Sequence, residues 1–574
     1  MKTNILPQKK KRILLAGVFG PFGVDDAYGR KENIMELFHN QVTKGQGIGS
    51  FRFHHRSFGL YFLAANVDAD VTVLDFPSKR CFIREIKKGY DMVGVSFIAP
   101  NFIKAKEMAR LVRLHAPRSK IILGGHGAAI EGVEQLIDCD HVAKGEGIRF
   151  LRRLLGQDPD APIIHPILPS AERESIFGVP LFSRHASMLV PGVGCVNGCK
   201  FCSTSHFFGR SYSPFIATGK ELFETACRIA DARGTDDFFV MDENFLKDKA
   251  RALDFLAETE KHQRFFRFQI FSSAEAITAF GVENLVRLGV RFIWIGVECK
   301  NPQENFEKNR GIDPRKLIQT LRDHGIIVLA SGILCMEHHT PENIQADIDF
   351  LVGLESDFVQ FMLFTPMPVT ALYEDQKKRG LLRKEMPFEE WHGQKMLMFN
   401  HPHFPGDAPE RWLKAAFRQD YESNGSSMLR VLETSFRGYL TLSAMKNRDA
   451  CLELRRNILL QQVLDWSPMT TTIAHNAVND AEKKRAKLLG QAIAREIGVS
   501  AIQYKLFRVA AVALTASWKL RVRLFGDGIQ PATIVTHYRA KDYLKARKEA
   551  AVLLWPRPEK KSSQNQAAAA ALVS

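Results

Sequence analysis

The sequence has no uninterrupted apolar run of about 18 residues, the length that a membrane-spanning helix needs. A polytopic membrane protein is therefore not expected. The basic residues Lys9 to Arg12 precede the apolar run Ile13 to Val18, which is the order found in a secretory signal peptide. However, no small-residue cleavage site follows, and Gly20 interrupts the run. We expect this run to form a first buried strand instead.

Cysteine is scarce, since the 574 residues include only nine, an odd number. Without a secretory pattern beside them, they do not predict a disulfide framework, and they favour a reducing compartment, the cytoplasm. Three cysteines are clustered. The six scattered ones are expected to be small buried hydrophobic residues: Cys81, Cys139, Cys227, Cys299, Cys335 and Cys451.

Acidic residues are outnumbered, with 63 Asp and Glu against 79 Lys and Arg, which gives a formal net charge of +16. This excess suits nucleic acid, an anionic membrane surface and an anionic substrate equally well. Hydrophobic residues at 45% and charged residues at 25% are ordinary globular values, so disorder of the whole chain is not expected.

Short apolar runs alternate with helical stretches over residues 1–165, the first predicted domain. Four such runs predict strands: Ile13 to Val18, Val71 to Leu74, Met92 to Ser96 and Ile121 to Leu123. An amphipathic stretch from Ala105 to Leu114 separates the last two. The pattern predicts an α/β fold with a doubly wound, Rossmann-like parallel sheet, whose ligands bind beyond the carboxyl ends of the strands.

A second alternating series fills residues 166–384 and predicts a partial (β/α)6 barrel. Its candidate strands are Met188 to Val190, Phe238 to Met241, Phe268 to Phe271, Phe292 to Ile295, Val328 to Leu334 and Phe358 to Phe364. Beyond about Leu381 the strand pattern ends, which predicts a helical carboxyl-terminal domain over residues 385–555. Residues 556–574 have the composition of a disordered tail.

Cys195, Cys199 and Cys202 form a C-x3-C-x2-C loop between the first barrel strand and the next helix. Thiolates so close together favour an iron–sulfur cluster or zinc. A structural zinc ion needs four ligands, and His206 is a candidate for the fourth. A [4Fe–4S] cluster on three thiolates keeps one iron open to a substrate or cofactor, and we favour this interpretation.

At this motif the sequence resembles the radical SAM superfamily, in which the loop follows the first barrel strand and an aromatic residue, here Phe201, precedes the last cysteine. The resemblance implies that the cluster binds S-adenosylmethionine and cleaves it reductively to a 5′-deoxyadenosyl radical. It also implies an electron donor such as flavodoxin or ferredoxin. Contacts to S-adenosylmethionine are expected at the ends of the next three strands: Asp242, Glu243, Asn244, Ser272, Ser273, Gly296 and Glu298.

The first domain, placed ahead of such a barrel, resembles the cobalamin-binding domain of B12-dependent radical SAM enzymes. The resemblance implies corrin contacts at Ser96, Gly124, Gly125, His126, Gly145 and Gly147. The D-x-H-x-x-G motif, which supplies a histidine below cobalt in many B12 proteins, is absent from the sequence. Two alternatives stay open: cobalamin bound without that histidine, or a domain that has lost the cofactor.

The leading functional hypothesis is cobalamin-dependent methylation of an unactivated carbon on a small-molecule or lipid-like substrate. The same architecture resembles anaerobic cyclases and carbon–carbon bond-forming enzymes of porphyrin and lipid metabolism. Methylthiolation of tRNA or protein usually requires a second cysteine-liganded cluster, for which the other cysteines form no set, so no specific nucleic acid partner is expected. A zinc-containing binding protein would leave the barrel pattern unexplained.

The segment Tyr504 to Phe525 has an apolar centre with basic flanks. Two interpretations fit it: a helix on an anionic membrane surface, and a packed helix of the carboxyl-terminal domain. The first would give peripheral membrane contact and access to a lipid-like substrate. It would use the apolar residues Leu506, Phe507, Val509, Leu514 and Trp518 and the basic residues Arg508, Lys519, Arg521 and Arg523.

Overall fold

The computed structural model describes residues 10–20, 52–176, 179–180, 186–300, 307–498, 501–525 and 532–553. The predicted tail, residues 556–574, lies outside this part of the chain. Within it, no helix combines the length and the apolar character that crossing a bilayer would demand.

The amino-terminal unit is a parallel sheet flanked by helices. Its strands are β1 (Arg12–Gly17), β3 (Asp70–Asp75), β4 (Met92–Ser96), β5 (Lys120–Gly124) and β6 (His141–Val142). A separate small antiparallel sheet contains β2 (Arg52–His55), β7 (Ala171–Ile176) and β8 (Val179–Pro180), with β7 in the middle. Its helices are α1 (Phe58–Ala65), α2 (Lys79–Ile86), α3 (Phe102–His115), α4 (Val133–Leu136) and α5 (Gly147–Leu154). The four predicted strands and the predicted helix are confirmed.

The parallel strands lie in the order β3-β1-β4-β5-β6, which confirms the doubly wound topology. The centre of β1 is apolar on both faces, from Ile13 to Ala16, and is completely covered because helices pack on both sides. The chain reverses direction across the sheet between β1 and β4, and ligands of such sheets bind beyond the carboxyl ends of the strands at that point.

The second unit is an open six-stranded parallel sheet in the order β9-β12-β13-β14-β15-β16, which confirms the partial barrel. Its strands are β9 (Ser187–Leu189), the hairpin β10 (Gly192–Gly194) and β11 (Tyr212–Pro214), β12 (Asp237–Val240), β13 (Arg267–Phe271), β14 (Val290–Glu298), β15 (Ile327–Leu334) and β16 (Phe358–Leu363). Its helices are α6 (Ser203–Phe207), α7 (Gly219–Arg233), α8 (Lys249–His262), α9 (Ala274–Phe280), α10 (Val282–Leu288), α11 (Pro314–Asp323), α12 (Ile344–Val352) and α13 (Ala371–Lys378).

Helices dominate the carboxyl-terminal region, as predicted. They are α14 (Ala408–Asn424), α15 (Ser427–Ala444), α16 (Ala450–Trp466), α17 (Met469–His475), α18 (Asp480–Ile497), α19 (Ala501–Phe525) and α20 (Ala540–Leu553). Two of these helices end at glycines, because Gly425 and Gly498 adopt positive φ values of +73° and +69° after α14 and α18.

The expectation that no strand follows Leu381 is wrong. A last strand, β17 (Ile534–Tyr538), returns to the first unit and pairs antiparallel with β3. Three consecutive β-branched residues, Ile534 to Thr536, carried a local strand signal. The strand covers an edge of the parallel sheet that would otherwise present unpaired backbone groups.

Candidate active site

The cysteine loop, residues 194–202, connects β10 to α6. Ser205 holds it closed, because its hydroxyl donates to the carbonyl of Cys195 at 2.7 Å and accepts from the amide of Gly198 at 3.1 Å. Gly198 has a φ of +65°, which glycine adopts without strain. Cys202 caps α6, and its sulfur accepts from the Ser205 amide. The three predicted ligands are thereby held, half-buried, on one short loop.

The spacing of the three sulfur atoms bears on the choice between zinc and an iron–sulfur cluster. Sulfur ligands of one tetrahedral zinc ion lie about 3.8 Å apart, because Zn–S bonds are about 2.3 Å long. In the described part of the chain, the sulfurs of Cys195, Cys199 and Cys202 do not all lie within 4.8 Å of one another. His206 hydrogen-bonds to the backbone of Cys199. The sulfur spacing differs from that of one tetrahedral zinc ion, but the buried Nε2 atom of His206, which has no hydrogen-bond partner among the described residues, is still available to a metal.

Burial raises the pKa of all three thiols, that of Cys202 to about 12. A thiolate is the form that binds metal, so binding of a cluster must release protons. The metal–sulfur bonds must also offset the cost of burying the charged thiolates.

Among the six scattered cysteines, the expected burial is confirmed for four, whereas Cys139 and Cys227 are only half-buried.

The barrel's last turn supports the cysteine loop from the other side. The amide of Leu372 donates to the carbonyl of Lys200 at 3.0 Å. The ring of Phe201, the aromatic residue before the last cysteine, lies 6.5 Å from that of Phe364, and it packs against the core of the barrel. Phe201 therefore acts as an anchor for the loop.

Glu243 is the carboxylate that faces the cysteines. It follows β12, and its charge raises the pKa of the Cys195 and Cys202 thiols. Its side chain is accessible to solvent, although protein surrounds it on several sides. Burial by this protein and the charge of the nearby Asp242 raise the pKa of the Glu243 carboxyl to about 7. A hydrogen bond from Thr204 opposes this rise. The carboxylate thus lies in a cleft that is open but walled by protein.

Asp242, the neighbouring carboxylate, is engaged elsewhere. Arg251 of α8 donates to it at 3.0 Å and Tyr212 of β11 donates to it at 2.7 Å, while Arg251 also donates to the Tyr212 hydroxyl at 2.9 Å. The side chains of Asp242 and Arg251 are each 2% exposed. Of the two adjacent carboxylates predicted to contact S-adenosylmethionine, Asp242 therefore has structural partners.

We expect Arg251→Met to lower the apparent unfolding free energy by about 3 kcal/mol, because it leaves the Asp242 charge buried without its cation. Chemical denaturation followed by circular dichroism measures the change. Arg264→Met is the matched control, because Arg264 forms exposed pairs with Asp231 and Asp236 and should cost less than about 1 kcal/mol. Equal losses for the two variants would contradict a structural role for Asp242.

Asn244, Ser272 and Ser273 satisfy one another. The Ser272 hydroxyl and the Ser273 amide donate to the Asn244 side-chain oxygen at 2.8 and 3.1 Å, and the Asn244 amide group donates to the Ser273 hydroxyl at 2.8 Å. All three residues are buried. The structure therefore brings the predicted residues together, in a network that joins the ends of β12 and β13.

Glu298 forms a buried ion pair with Lys308, which sequence reasoning missed. Although burial opposes it, the charges of Glu298 and of the nearby Cys199 thiol raise the pKa of Lys308. Glu298 has a φ of +73°, a strained value for a residue with a side chain. A side chain at Gly296 would meet the charged ends of both partners, so the ion pair would have to shift. No local pattern could have identified Lys308, because ten positions separate it from Glu298.

His126 lies where the first unit meets the barrel. The centre of its ring lies 4.7 Å from that of Phe207, at an interplanar angle of 36°, and Phe207 belongs to α6, the helix that follows the cysteine loop. Burial lowers its pKa to about 4, and its buried Nδ1 atom has no hydrogen-bond partner in the part of the chain that the structure describes. It lines a cavity of about 210 Å³, together with residues from the ends of β4 and β16 and from α6: Ile98, Ala99, Ala129, Ser203, Thr204, Met367, Pro368 and Val369.

The glycines expected beside a corrin differ in their surroundings. Ser96 and Gly124 end the paired strands β4 and β5 at the sheet's carboxyl edge. Gly125 has a φ of +77°, and a side chain there would collide with the carbonyl of Phe97. Glycine is therefore required at position 125 by the turn itself, whatever binds beside it.

Gly145 and Gly147 lie further along the same edge. A side chain on Gly145 would lie 3.7 Å from the carbonyl of Phe207 in α6, so this glycine faces the barrel. Gly147 instead packs α5 against Leu63 of α1. Of the two, Gly145 is the one that approaches α6, the helix after the cysteine loop.

Comparison with known protein families identifies the unit that carries the cysteine loop. Residues 189–351, from the end of β9 into α12, match the model of the radical SAM superfamily. Residues 189–351 form a radical SAM domain. The match begins six residues before Cys195 and includes every residue predicted to contact S-adenosylmethionine.

Relatives of this radical SAM chain are distant. An uncharacterized methyltransferase of Pyrococcus horikoshii is 22% identical over 369 residues, 56% of this chain and 79% of the relative. The hopanoid C-2 methylase of Rhodopseudomonas palustris is 22% identical over 198 residues, 33% of this chain and 37% of the methylase. The radical S-adenosylmethionine methyltransferase TsrM from Kitasatospora setae, solved with cobalamin and a [4Fe–4S] cluster, shares the fold at a TM-score of 0.52 and 16% identity, covering 79% of this chain and 99% of TsrM.

A further polar cluster of this radical SAM chain lies at the end of β15, where His338, His339 and Asp347 approach one another. His339 accepts from the Met336 amide through Nδ1 at 3.0 Å and donates through Nε2 to Asp347 at 2.6 Å. A metal-bound histidine usually donates a hydrogen bond through the ring nitrogen that does not bind the metal. Because Nδ1 of His339 accepts a hydrogen bond, it cannot be this donor. Asp347 also accepts from the Lys300 amide at 2.8 Å, so the pair joins the ends of β14 and β15.

Proposed function

We propose that this chain is a cobalamin-dependent radical SAM methyltransferase acting on an unactivated carbon of a small-molecule substrate. One observation carries the proposal. The cysteine loop lies near Glu243 of the barrel. The helix that follows the loop carries Phe207, and Phe207 contacts His126 at the carboxyl edge of the first sheet. That juxtaposition supports two cofactor sites that adjoin each other across a single short helix.

The barrel residues fit a cluster and S-adenosylmethionine. Cys195, Cys199 and Cys202 would hold the cluster, and Glu243 would hold the amino group of the cofactor. Lys308 would attract its carboxylate, because this ammonium is buried beside Cys199. When bound, the cluster, S-adenosylmethionine and cobalamin supply electron transfer, radical initiation and methyl transfer.

The first sheet fits a cobalamin in part. The Nδ1 atom of His126, buried and without a partner among the described residues, is a polar group that a ligand would satisfy. The cavity of about 210 Å³ beside it accommodates only a portion of so large a ligand, so Ser96, Gly124, Gly125 and Gly145 on the same edge would provide the remaining contacts.

The cavity walls explain how reactive species would be protected. Ile98 and Ala99 come from the first unit and Met367 and Pro368 from the barrel's last turn. These four apolar residues share the lining with the polar His126, Ser203 and Thr204. Apolar walls exclude water, which would otherwise compete for a reactive intermediate. The two units therefore protect the site only together.

We also propose the nature of the partners. The electron donor would be a flavodoxin or ferredoxin, and a formal charge of +16 favours attraction to acidic donors of this kind. The substrate would be lipid-like. Support for this class comes from the similarity to a hopanoid methylase and from the apolar, basic helix α19, which favours peripheral contact with a membrane.

Two products test the proposal. Anaerobically reconstituted protein with S-adenosylmethionine and dithionite should release 5′-deoxyadenosine, and added cobalamin should cause S-adenosylhomocysteine to accumulate as well. Chromatography of the quenched reaction measures both. Protein without added cobalamin is the control. Release of 5′-deoxyadenosine with no cobalamin-dependent S-adenosylhomocysteine would contradict methyl transfer while leaving the radical SAM assignment in place.

A further inference from the structure

Helix α19 is a 25-residue helix with one covered side. Ala511, Thr515 and Trp518 are buried, and Trp518 belongs to a small core with Ile473 of α17. The expectation that Trp518 faces a membrane is therefore wrong, and the packed-helix interpretation holds for this side. The side chain of Phe507 lies outside the described residues.

The opposite side of α19 is apolar and open. Leu506, Val509, Leu520 and Leu524 are 67%, 70%, 58% and 63% exposed. Their spacing of three, eleven and four residues places them on one face, because an α-helix repeats about every 3.6 residues. The face runs along most of a helix about 37 Å long. We call these four residues the apolar face of α19.

Charge distinguishes this helix from an ordinary amphipathic one. Residues 501–525 contain five Lys and Arg and no Asp or Glu. Arg508 and Lys519 hydrogen-bond to Thr471 and Asn476 at the end of α17, and so help to fix the helix on the protein. The other three basic residues, Lys505, Arg521 and Arg523, are exposed.

We propose that the apolar face of α19 binds the surface of an anionic lipid bilayer. A helix of this kind lies in the plane of the interface, with its apolar residues among the acyl chains and its basic residues at the headgroups. Pairing with a second copy of the same face would bring two all-basic helices together, which like-charge repulsion opposes. An anionic surface removes that repulsion and accounts for both the apolar and the basic residues.

This proposal does not rest on methyl transfer, because membrane binding needs no cofactor and no substrate. The full chain is mixed with vesicles of phosphatidylglycerol and phosphatidylcholine, or of phosphatidylcholine alone, and sedimented. We expect sedimentation with the anionic vesicles at low salt and release at 0.5 M salt, because a Debye length of roughly 4 Å screens the surface.

Two variants separate the contributions. The triple variant Lys505→Gln/Arg521→Gln/Arg523→Gln should bind about a hundredfold more weakly, at about fivefold per basic residue near an anionic surface. Leu506→Gln/Leu520→Gln/Leu524→Gln should also lose binding. The matched control Leu114→Gln/Leu454→Gln changes exposed leucines of α3 and α16 and should bind like the wild type.

Three results would overturn the proposal. The first is a wild type that stays in the supernatant with anionic vesicles at low salt. The second is equal binding of the wild type and the leucine triple variant. The third is a wild-type dimer, seen by light scattering, that the leucine triple variant abolishes, because the apolar face would then bind a second copy. Circular dichroism and the thermal midpoint show that each variant is folded.

Discussion

Replacing Cys195, Cys199 or Cys202 with Ala is expected to abolish both the iron–sulfur chromophore and the formation of 5′-deoxyadenosine. Each thiolate would bind a different iron, and a cubane that already has one open iron loses its protein support when a second iron is freed. The effect should be complete for each position. Anaerobic reconstitution, followed by iron and sulfide analysis and visible absorption, measures it.

The controls for this experiment come from the same chain. Cys139 and Cys227 are also half-buried, but they lie outside the cysteine loop, so Cys139→Ala and Cys227→Ala should keep about four irons and four sulfides per chain. Zinc recovered from the wild type without sulfide would contradict the cluster. So would a cluster that survives loss of one of the three loop cysteines.

Glu243→Ala is expected to retain the cluster and to lower kcat/KM for cleavage of S-adenosylmethionine by about 10- to 100-fold. A hydrogen bond to a charged group contributes about 1.5–3 kcal/mol, and its loss corresponds to a change of this size. Glu243 lies near the cysteines and would not ligate iron, so the chromophore and the reaction should respond differently. Cleavage rates at limiting S-adenosylmethionine measure the change.

A carboxylate far from the cleft provides the matched control. Glu258 lies on α8 and pairs with Lys261, so Glu258→Gln should cleave like the wild type. If Glu243→Ala cleaves as fast as Glu258→Gln at low S-adenosylmethionine, another group binds the cofactor amine. If Glu243→Ala loses the cluster, the residue supports the cysteine loop instead.

Several features of the molecule could be predicted from the sequence because their signals are local. Continuous apolar runs identified β1, β4, β5 and the six barrel strands, since a strand covered on both faces needs apolar residues at successive positions. The spacing of Cys195, Cys199 and Cys202 predicted a shared metal site, because chain geometry alone keeps ligands on one short loop together. The match to the radical SAM model covers the same segment.

Other features depended on residues far apart in the chain. Asp242 and Glu243 are equivalent by pattern, and only the positions of Tyr212 and Arg251 show that the first is engaged while the second faces the cysteines. β17 had a local strand signal, yet its partner β3 lies more than 450 residues earlier. Neither pairing follows from a periodic pattern, because each is set by packing between units.

The sequence by itself determined the order of strands and helices, the cysteine loop and the basic, apolar composition of α19, because each is a property of neighbouring residues. Only the tertiary structure decided which side of α19 is open, that Lys308 pairs with Glu298, and that His126 contacts the helix after the cysteine loop. The physical reason is that burial and charge pairing depend on which surfaces meet. That outcome depends on the whole chain, whereas periodicity and motif spacing depend on a few consecutive residues.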